Sequence, residues 1–212
     1  MIFLPWPSTT KPLVSSAVYG ARIARAAELA RSAGLDGLVV TPGPDLRYLT
    51  GSRADSFERL TALVIAADTA KASVVLPRLE LASLKESAVG DLGLTVLDWV
   101  DGVDPYAIVA AQLPTGAKVA VTDAMPALHL IPLADTLGAL PILATGVLRE
   151  LRMVKDGAEI EALRRAGAAI DRVHARMAEF LVVGRTEAEV GEAISAAILE
   201  EGHTEAAFVI VG

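Results

Sequence analysis

The chain has 212 residues, of which 53% are hydrophobic but only 4% aromatic, and its 19 basic and 26 acidic residues leave a net charge of −7. That length holds one large domain or two small ones, and its apolar share is enough to bury a core, which excludes a disordered chain. The absence of cysteine excludes disulfides, thiolate metal sites and cysteine nucleophiles, and charges of both signs interspersed along the chain argue against nucleic acid as a partner.

The opening MIFLPWPSTT lacks a basic leading segment and carries Pro5 and Pro7, so it reads as a frayed or docking arm rather than a signal peptide. The mean hydropathy of +0.48 raises the question of a membrane. A spanning helix needs about 20 mainly apolar residues in a row. The apolar stretches 61–67 and 139–144 are broken within a few residues by Asp, Lys, Gly or Pro, so no membrane partner is expected and the location is expected to be cytoplasmic.

Residues 18–33 carry apolar positions at helical spacing and end at Gly34. GLVVT (37–41) is a short apolar run between Gly37 and Pro42 and predicts a buried strand. A loop with a short helical turn follows. TALVIAAD (61–68) and ASVVLP (72–77) predict a hairpin, LELASLKESA (79–88) a helix and LTVLDW (94–99) a strand. Residues 103–113 predict a helix capped by Asp104 ahead of Pro105. KVAVT (118–122), a helix over 125–138 and PILAT (141–145) complete the series. Strands alternating with helices, with one tight strand pair, predict an α/β domain of three layers with a mixed sheet flanked by helices.

The character changes at residue 149, where RELRMVKDG reads as a charged connector. Asp156 with Glu159 forms a capping box before a long helix over 157–182, whose apolar stripe is Ile160, Leu163, Gly167, Ile170, His174, Met177 and Leu181. Thr186 with Glu189 repeats the box before a second helix that ends at Gly202, and AAFVIVG (206–212) reads as a hydrophobic strand. Two helices and one strand do not close a core alone, so a truncated chain that self-associates, or keeps residues 150–212 loosely ordered, is the expectation.

No GxGxxG, P-loop, GxSxG or HExxH is present, and none of His129, His174 and His203 lies four residues from another. Neither a catalytic residue nor a metal ligand is therefore assigned. His174 reads as a core or interface histidine, His129 as half-buried structure, and His203 as a solvated loop residue that would line an entrance if the last strand led into an active site. The densest polar cluster is the loop 42–59, PGPDLRYLTGSRADSFER, at the carboxyl end of the first strand, where open α/β sheets place ligands. There Arg53 is suited to bind a carboxylate through two N–H groups, and Glu58 and Arg59 form either a surface pair or part of the site. Asp45, Arg47, Asp55, Glu58 and Arg59 are close enough in sequence to satisfy one another locally.

SAGLDGLVVTPGPDLRYLTGSRADSFERLTALVI resembles the amino-terminal domain of the prolidase, Xaa-Pro aminopeptidase and creatinase family, with Asp45-Leu46-Arg47-Tyr48-Leu49-Thr50-Gly51 standing at its N-x-R-Y-L-T-G-F motif. LRELRMVKDGAEIEALRRAGAAID (148–171) is similar to the family's entry into its second domain, and LVVGRTEAEVGEAI (181–194) to the turn and helix that follow. The resemblance covers about residues 15–212, and the motifs fall in the family's order and spacing.

The resemblance implies a creatinase/prolidase N-terminal-like domain over 1–148 and the beginning of a pita-bread metallopeptidase domain over 149–212. It implies hydrolysis of the peptide bond before proline in a full-length parent that holds two divalent metals, Mn, Co or Zn. The five metal ligands of the family lie beyond AAFVIVG, so the chain alone is expected to be inactive. It implies a homodimer in which this domain reaches its neighbour's cleft, with Arg53 as the contributing residue and Tyr48 shaping the loop; together with Glu58, Arg59 and His203, read from the residues themselves, these are the substrate-contacting candidates. A non-catalytic dimerisation or binding module and a creatinase-like C–N hydrolase stand as the alternatives.

Overall fold

Leu38, Val39 and Val40 are apolar on both sides of an extended chain, so a strand built from them needs cover on both faces. The structure, a computed structural model that describes residues 14–55 and 58–212, supplies it; the MIFLPWPSTT arm lies outside the described residues. Strands β1 (Gly37–Val40), β2 (Ala62–Ala66), β3 (Ala72–Pro77), β4 (Thr95–Trp99), β5 (Val119–Val121) and β6 (Ile142–Leu143) form one sheet in the order β4-β3-β2-β1-β5-β6. β2 runs antiparallel to β1 and β3, while β3–β4, β1–β5 and β5–β6 pair in parallel, so β2 alone is reversed. Leu38 sits opposite Ile65 on one side and Ala120 on the other.

Alternation along the strands divides the core. Leu38, Val40, Leu63, Ile65, Val74 and Leu76 face α1 (Ser16–Ser32), α2 (Pro44–Thr50) and α5 (Thr145–Met153). Val39, Val64, Val75, Val119 and Val121 face α3 (Pro105–Ala110) and α4 (Ala127–Leu137), with Trp99 closing one end. Ala26, Ala27 and Ala30 let α1 lie close to the sheet. Each large apolar side chain so buried contributes roughly 1.5–3 kcal/mol. The expected α/β layers with a mixed sheet are therefore present, and so is the β2–β3 hairpin.

Residues read as a helix over 79–88 form instead a 3-10 helix, Arg78–Glu86, with no fully buried side chain; Leu84 packs partly buried against the first core while Leu79 and Leu81 stay exposed, too small an apolar face to hold an α-helix. His129 is buried rather than half-buried, with Nδ1 3.1 Å from the Tyr106 hydroxyl.

The chain separates into two compact units, one ending at Met153 and the other running from Val154 to Gly212. A boundary at 148/149 falls inside α5, because the expected connector is helical as far as Met153 and anchors Val147 and Leu148 in the first core. In the second unit α6 (Gly157–Ala175) and α8 (Glu187–Glu200) each begin with a complete capping box, Asp156 with Glu159 and Thr186 with Glu189. The expected helix over 157–182 breaks at Arg176, whose side chain bonds Glu179 and Glu200, and resumes as the single turn α7 (Met177–Phe180). The face of α6 and α7 that shares a core with α8 is Val173, Met177 and Phe180. Most of the stripe read from the sequence, Ile160, Leu163, His174 and Leu181, is exposed. Residues 206–212 are not a strand, since a ladder needs a partner and the described residues pair none with this segment. Among the described helices none is long and apolar enough to cross a membrane.

Candidate functional site

The loop between β1 and β2 leaves the carboxyl end of β1 and enters the reversed strand, so it lies at the edge where β3, β4, β5 and β6 also end. This is the edge at which open α/β sheets take ligands. Thr41 and Thr122 close the gap between the ends of β1 and β5, their buried hydroxyls 2.7 Å apart.

Helix α2 opens the loop with Pro44, whose missing N–H costs nothing in a first turn, and it buries Leu46, Leu49 and Thr50. Its last carbonyls are taken individually. The Gly51 N–H donates to the Arg47 carbonyl at 2.8 Å. Arg22 of α1 donates from Nη1 to the Tyr48 carbonyl at 3.0 Å and lays its guanidinium 3.9 Å from the Tyr48 ring centroid. Gly51 then turns the chain at φ +74°, and a Cβ there would stand 2.9 Å from the Tyr19 hydroxyl, so both conformation and space call for glycine. Beyond it the Ser52 N–H donates to Thr50 Oγ1 and the Ala54 N–H to Ser52 Oγ, each at 3.2 Å, while the Ala88 N–H takes the Thr50 carbonyl at 2.8 Å. Arg53 stands between these two fastened residues. It is exposed and makes no ion pair among the described residues.

Tyr48 is half-buried and committed to structure: its hydroxyl donates to the Leu151 carbonyl at 3.5 Å, and next to it Arg152 pairs with Asp45 at 2.5 Å. α2 is thereby tied to α1 and to the last turn of α5. Arg59 presents Nε and Nη2 to the two oxygens of Asp101 at 3.1 and 3.2 Å and Nη1 to Glu58 at 3.0 Å. The hydrogen bonds to Asp101 raise the Arg59 guanidinium above its ordinary value, and the same contact holds the Asp101 carboxyl below the usual aspartate range. Of the local pairing expected inside the loop, Glu58–Arg59 is the one seen among the described residues; Asp45 and Arg59 find their main partners in Arg152 and Asp101, far away in sequence. Arg47 and Asp55 are exposed.

His203 belongs to the second unit. It is half-buried rather than solvated, and its Nε2 is shielded without a hydrogen-bond partner among the described residues. Arg22, Arg152 and Asp101 escaped sequence reasoning. A usable signal existed for Arg22, which lies three residues after the buried Tyr19 and four before the buried Ala26, on the inward side of α1, where a guanidinium needs a partner. Among the described residues no group of three or more His, Asp or Glu side chains is placed to hold a metal ion, so this part of the protein does not fit the metal pair that the resemblance implies.

Residues 22–154 match the model of the creatinase/prolidase N-terminal domain. The chain belongs to that family. Probable dipeptidase PepE of Mycobacterium tuberculosis is 67% identical over 197 residues, 92% of this chain and 52% of the relative. The crystal structure of dipeptidase PepE from Mycobacterium ulcerans matches with a TM-score of 0.89 at 65% identity, covering 94% of this chain and 54% of that one. A prolidase from Thermococcus sibiricus matches with a TM-score of 0.75 at 28% identity, over 90% of this chain and 51% of that one. The chain thus spans about half the length of the curated relatives it matches. The creatinase/prolidase domain proper ends within a residue of the Met153 boundary, so the likeness to the dipeptidases continues through the second unit.

Proposed function

We propose that this chain is the amino-terminal portion of a cytoplasmic, homodimeric dipeptidase that cleaves dipeptides, Xaa-Pro among them. The observation that carries the reading is the 67% identity to probable dipeptidase PepE, sustained across 92% of this chain. In this reading the two divalent metals, Mn, Co or Zn, are held by residues beyond these 212 and would supply the hydrolytic chemistry. The contribution of this chain is recognition: Arg53 offers a planar guanidinium, unopposed by any carboxylate among the described residues, to a carboxylate of the substrate in the cleft of the neighbouring subunit. Glu58 and Arg59 serve the loop through Asp101, and Tyr48 serves it through α1 and α5.

The test uses the longest natural polypeptide containing this sequence, assayed on Xaa-Pro dipeptides, other dipeptides and creatine, with each metal and with chelator. Dipeptide hydrolysis that a chelator abolishes is expected. Turnover of creatine alone would favour a C–N hydrolase, and turnover of none would leave a binding module. Arg53→Ala is expected to raise KM with the fold intact; unchanged kinetics would refute the role of Arg53.

A further inference from the structure

We infer that Arg22, on helix α1 and outside the loop, is a positioning residue that sets the direction of Arg53. The inference rests on the reading of Arg53 as the substrate-facing group. A helix of seven residues such as α2 leaves most of its terminal carbonyls without intrahelical partners, and a cation at that end both fills a carbonyl and complements the dipole. Arg22 does this at the Tyr48 carbonyl, 3.0 Å away, and its guanidinium lies 3.9 Å from the centroid of the same residue's ring. One side chain therefore fixes both the backbone and the ring of Tyr48.

Tyr48 lies three positions before the left-handed turn at Gly51 and five before Arg53. Between them the path has little slack. Thr50 returns its hydroxyl to the Leu46 carbonyl at 2.8 Å, the Ser52 N–H takes that same hydroxyl oxygen, and the Ala54 N–H takes Ser52 Oγ. Each bond is referenced to the end of α2. A rotation of α2 against α1 would be passed along this chain of bonds to the backbone of Arg53. Arg22 is the side chain that bonds α2 to α1 at this point, while Asp45–Arg152 fastens the other side of α2 to α5. An Arg53 backbone held in one place presents its side chain from a fixed point, so less backbone freedom is lost when the guanidinium meets a carboxylate.

The experiment measures kinetics and amide exchange on the longest natural polypeptide, comparing Arg22→Met, Arg22→Lys, Arg53→Ala and the Arg22→Met/Arg53→Ala double variant on a dipeptide substrate. Arg22→Met is expected to raise KM about 5- to 20-fold, as the loss of a charged hydrogen bond and a ring contact implies, with kcat within about twofold. Arg22→Lys keeps the cation and one donor and should recover part of the loss. Exchange at Ser52 and Ala54 should quicken in Arg22→Met while Leu38–Val40 stays protected. In the double variant KM should equal that of Arg53→Ala, because Arg22 acts only through Arg53. An unchanged KM in Arg22→Met, or a further rise on top of Arg53→Ala, would overturn the positioning role. An unchanged KM in Arg53→Ala would instead remove the reading beneath it.

Discussion

The two units use their apolar residues differently. In the first, alternate residues of β1, β2 and β3 enter two separate cores, and Leu38, Leu63, Ile65 and Leu76 are all 0% exposed. In the second, the core comprises Val173, Phe180, Val190 and Ala197, with a few partly buried neighbours, while Leu163 is 59% and Phe208 78% exposed. The helices of the second unit are nevertheless the better terminated, for both α6 and α8 carry a reciprocal capping box. The first unit is thus held by non-local burial, and the second is specified mainly by short-range polar contacts.

Core truncation should expose the contrast most strongly. Leu63→Ala, in the central reversed strand, is expected to destabilise the first unit by about 2–5 kcal/mol in denaturant titrations of the 212-residue chain. Leu163→Ala, which removes an exposed side chain from α6, is expected to change stability by no more than about 0.5 kcal/mol. Equal losses in the two variants would mean that Leu163 is covered in solution and that the contrast is one of surface, not of core.

The same division explains what was legible in the sequence. Strands such as LVV at 38–40 and ALVIA at 62–66 announce themselves because a sheet covered on both faces demands unbroken apolar runs. The capping boxes are equally visible, since all their atoms lie within four residues. Which face of α6 is covered is not local information: the stripe at Ile160, Leu163, His174 and Leu181 has good helical spacing, yet the core shared with α8 takes Val173 and Phe180 instead. AAFVIVG has the composition of a strand, but a strand exists only against a partner. The loop at the carboxyl edge of the sheet was legible from its place after β1. Arg22–Tyr48, Asp45–Arg152 and Arg59–Asp101 were not, because 26, 107 and 42 residues separate the partners.

A backbone substitution in the first unit should come next in size. Gly51→Ala places a Cβ at φ +74° and 2.9 Å from the Tyr19 hydroxyl, so it is expected to cost about 1–3 kcal/mol and to speed exchange at Ser52 and Ala54. A neutral result would show that α2 shifts freely on α1, against the fastening described above.

Cap removal should act on the second unit alone. Asp156→Ala and Thr186→Ala are each expected to cost about 0.5–2 kcal/mol, read as faster amide exchange in the first turns of α6 and α8. Exchange across Leu38–Val40 should be unaltered. If either variant loosened β1, the two units would share one cooperative transition and the comparison would need redrawing.

The smallest effect should be electrostatic and confined to the site edge. Asp101 carries a lowered pKa because Arg59 donates to it, so the folded state binds its proton less readily than the unfolded chain. The contribution of the pair is then present above the ordinary aspartate range and is lost as pH falls through the depressed folded value. The raised Arg59 pKa alters nothing in this window, since the guanidinium stays charged throughout. Glu58 and Glu80 also act on Arg59, and Asp101→Asn removes the charge and one of the two acceptor oxygens while leaving Oδ1 to accept. The gap between the parent chain and Asp101→Asn should therefore be small, level from about pH 8 to 5, and should close as pH drops below about 4. Added salt at neutral pH should narrow it too, because both groups face water. A gap that widened toward acid would mean that Asp101 is stabilised in its protonated form, and the ion pair would not be what holds Arg59 at the end of the loop.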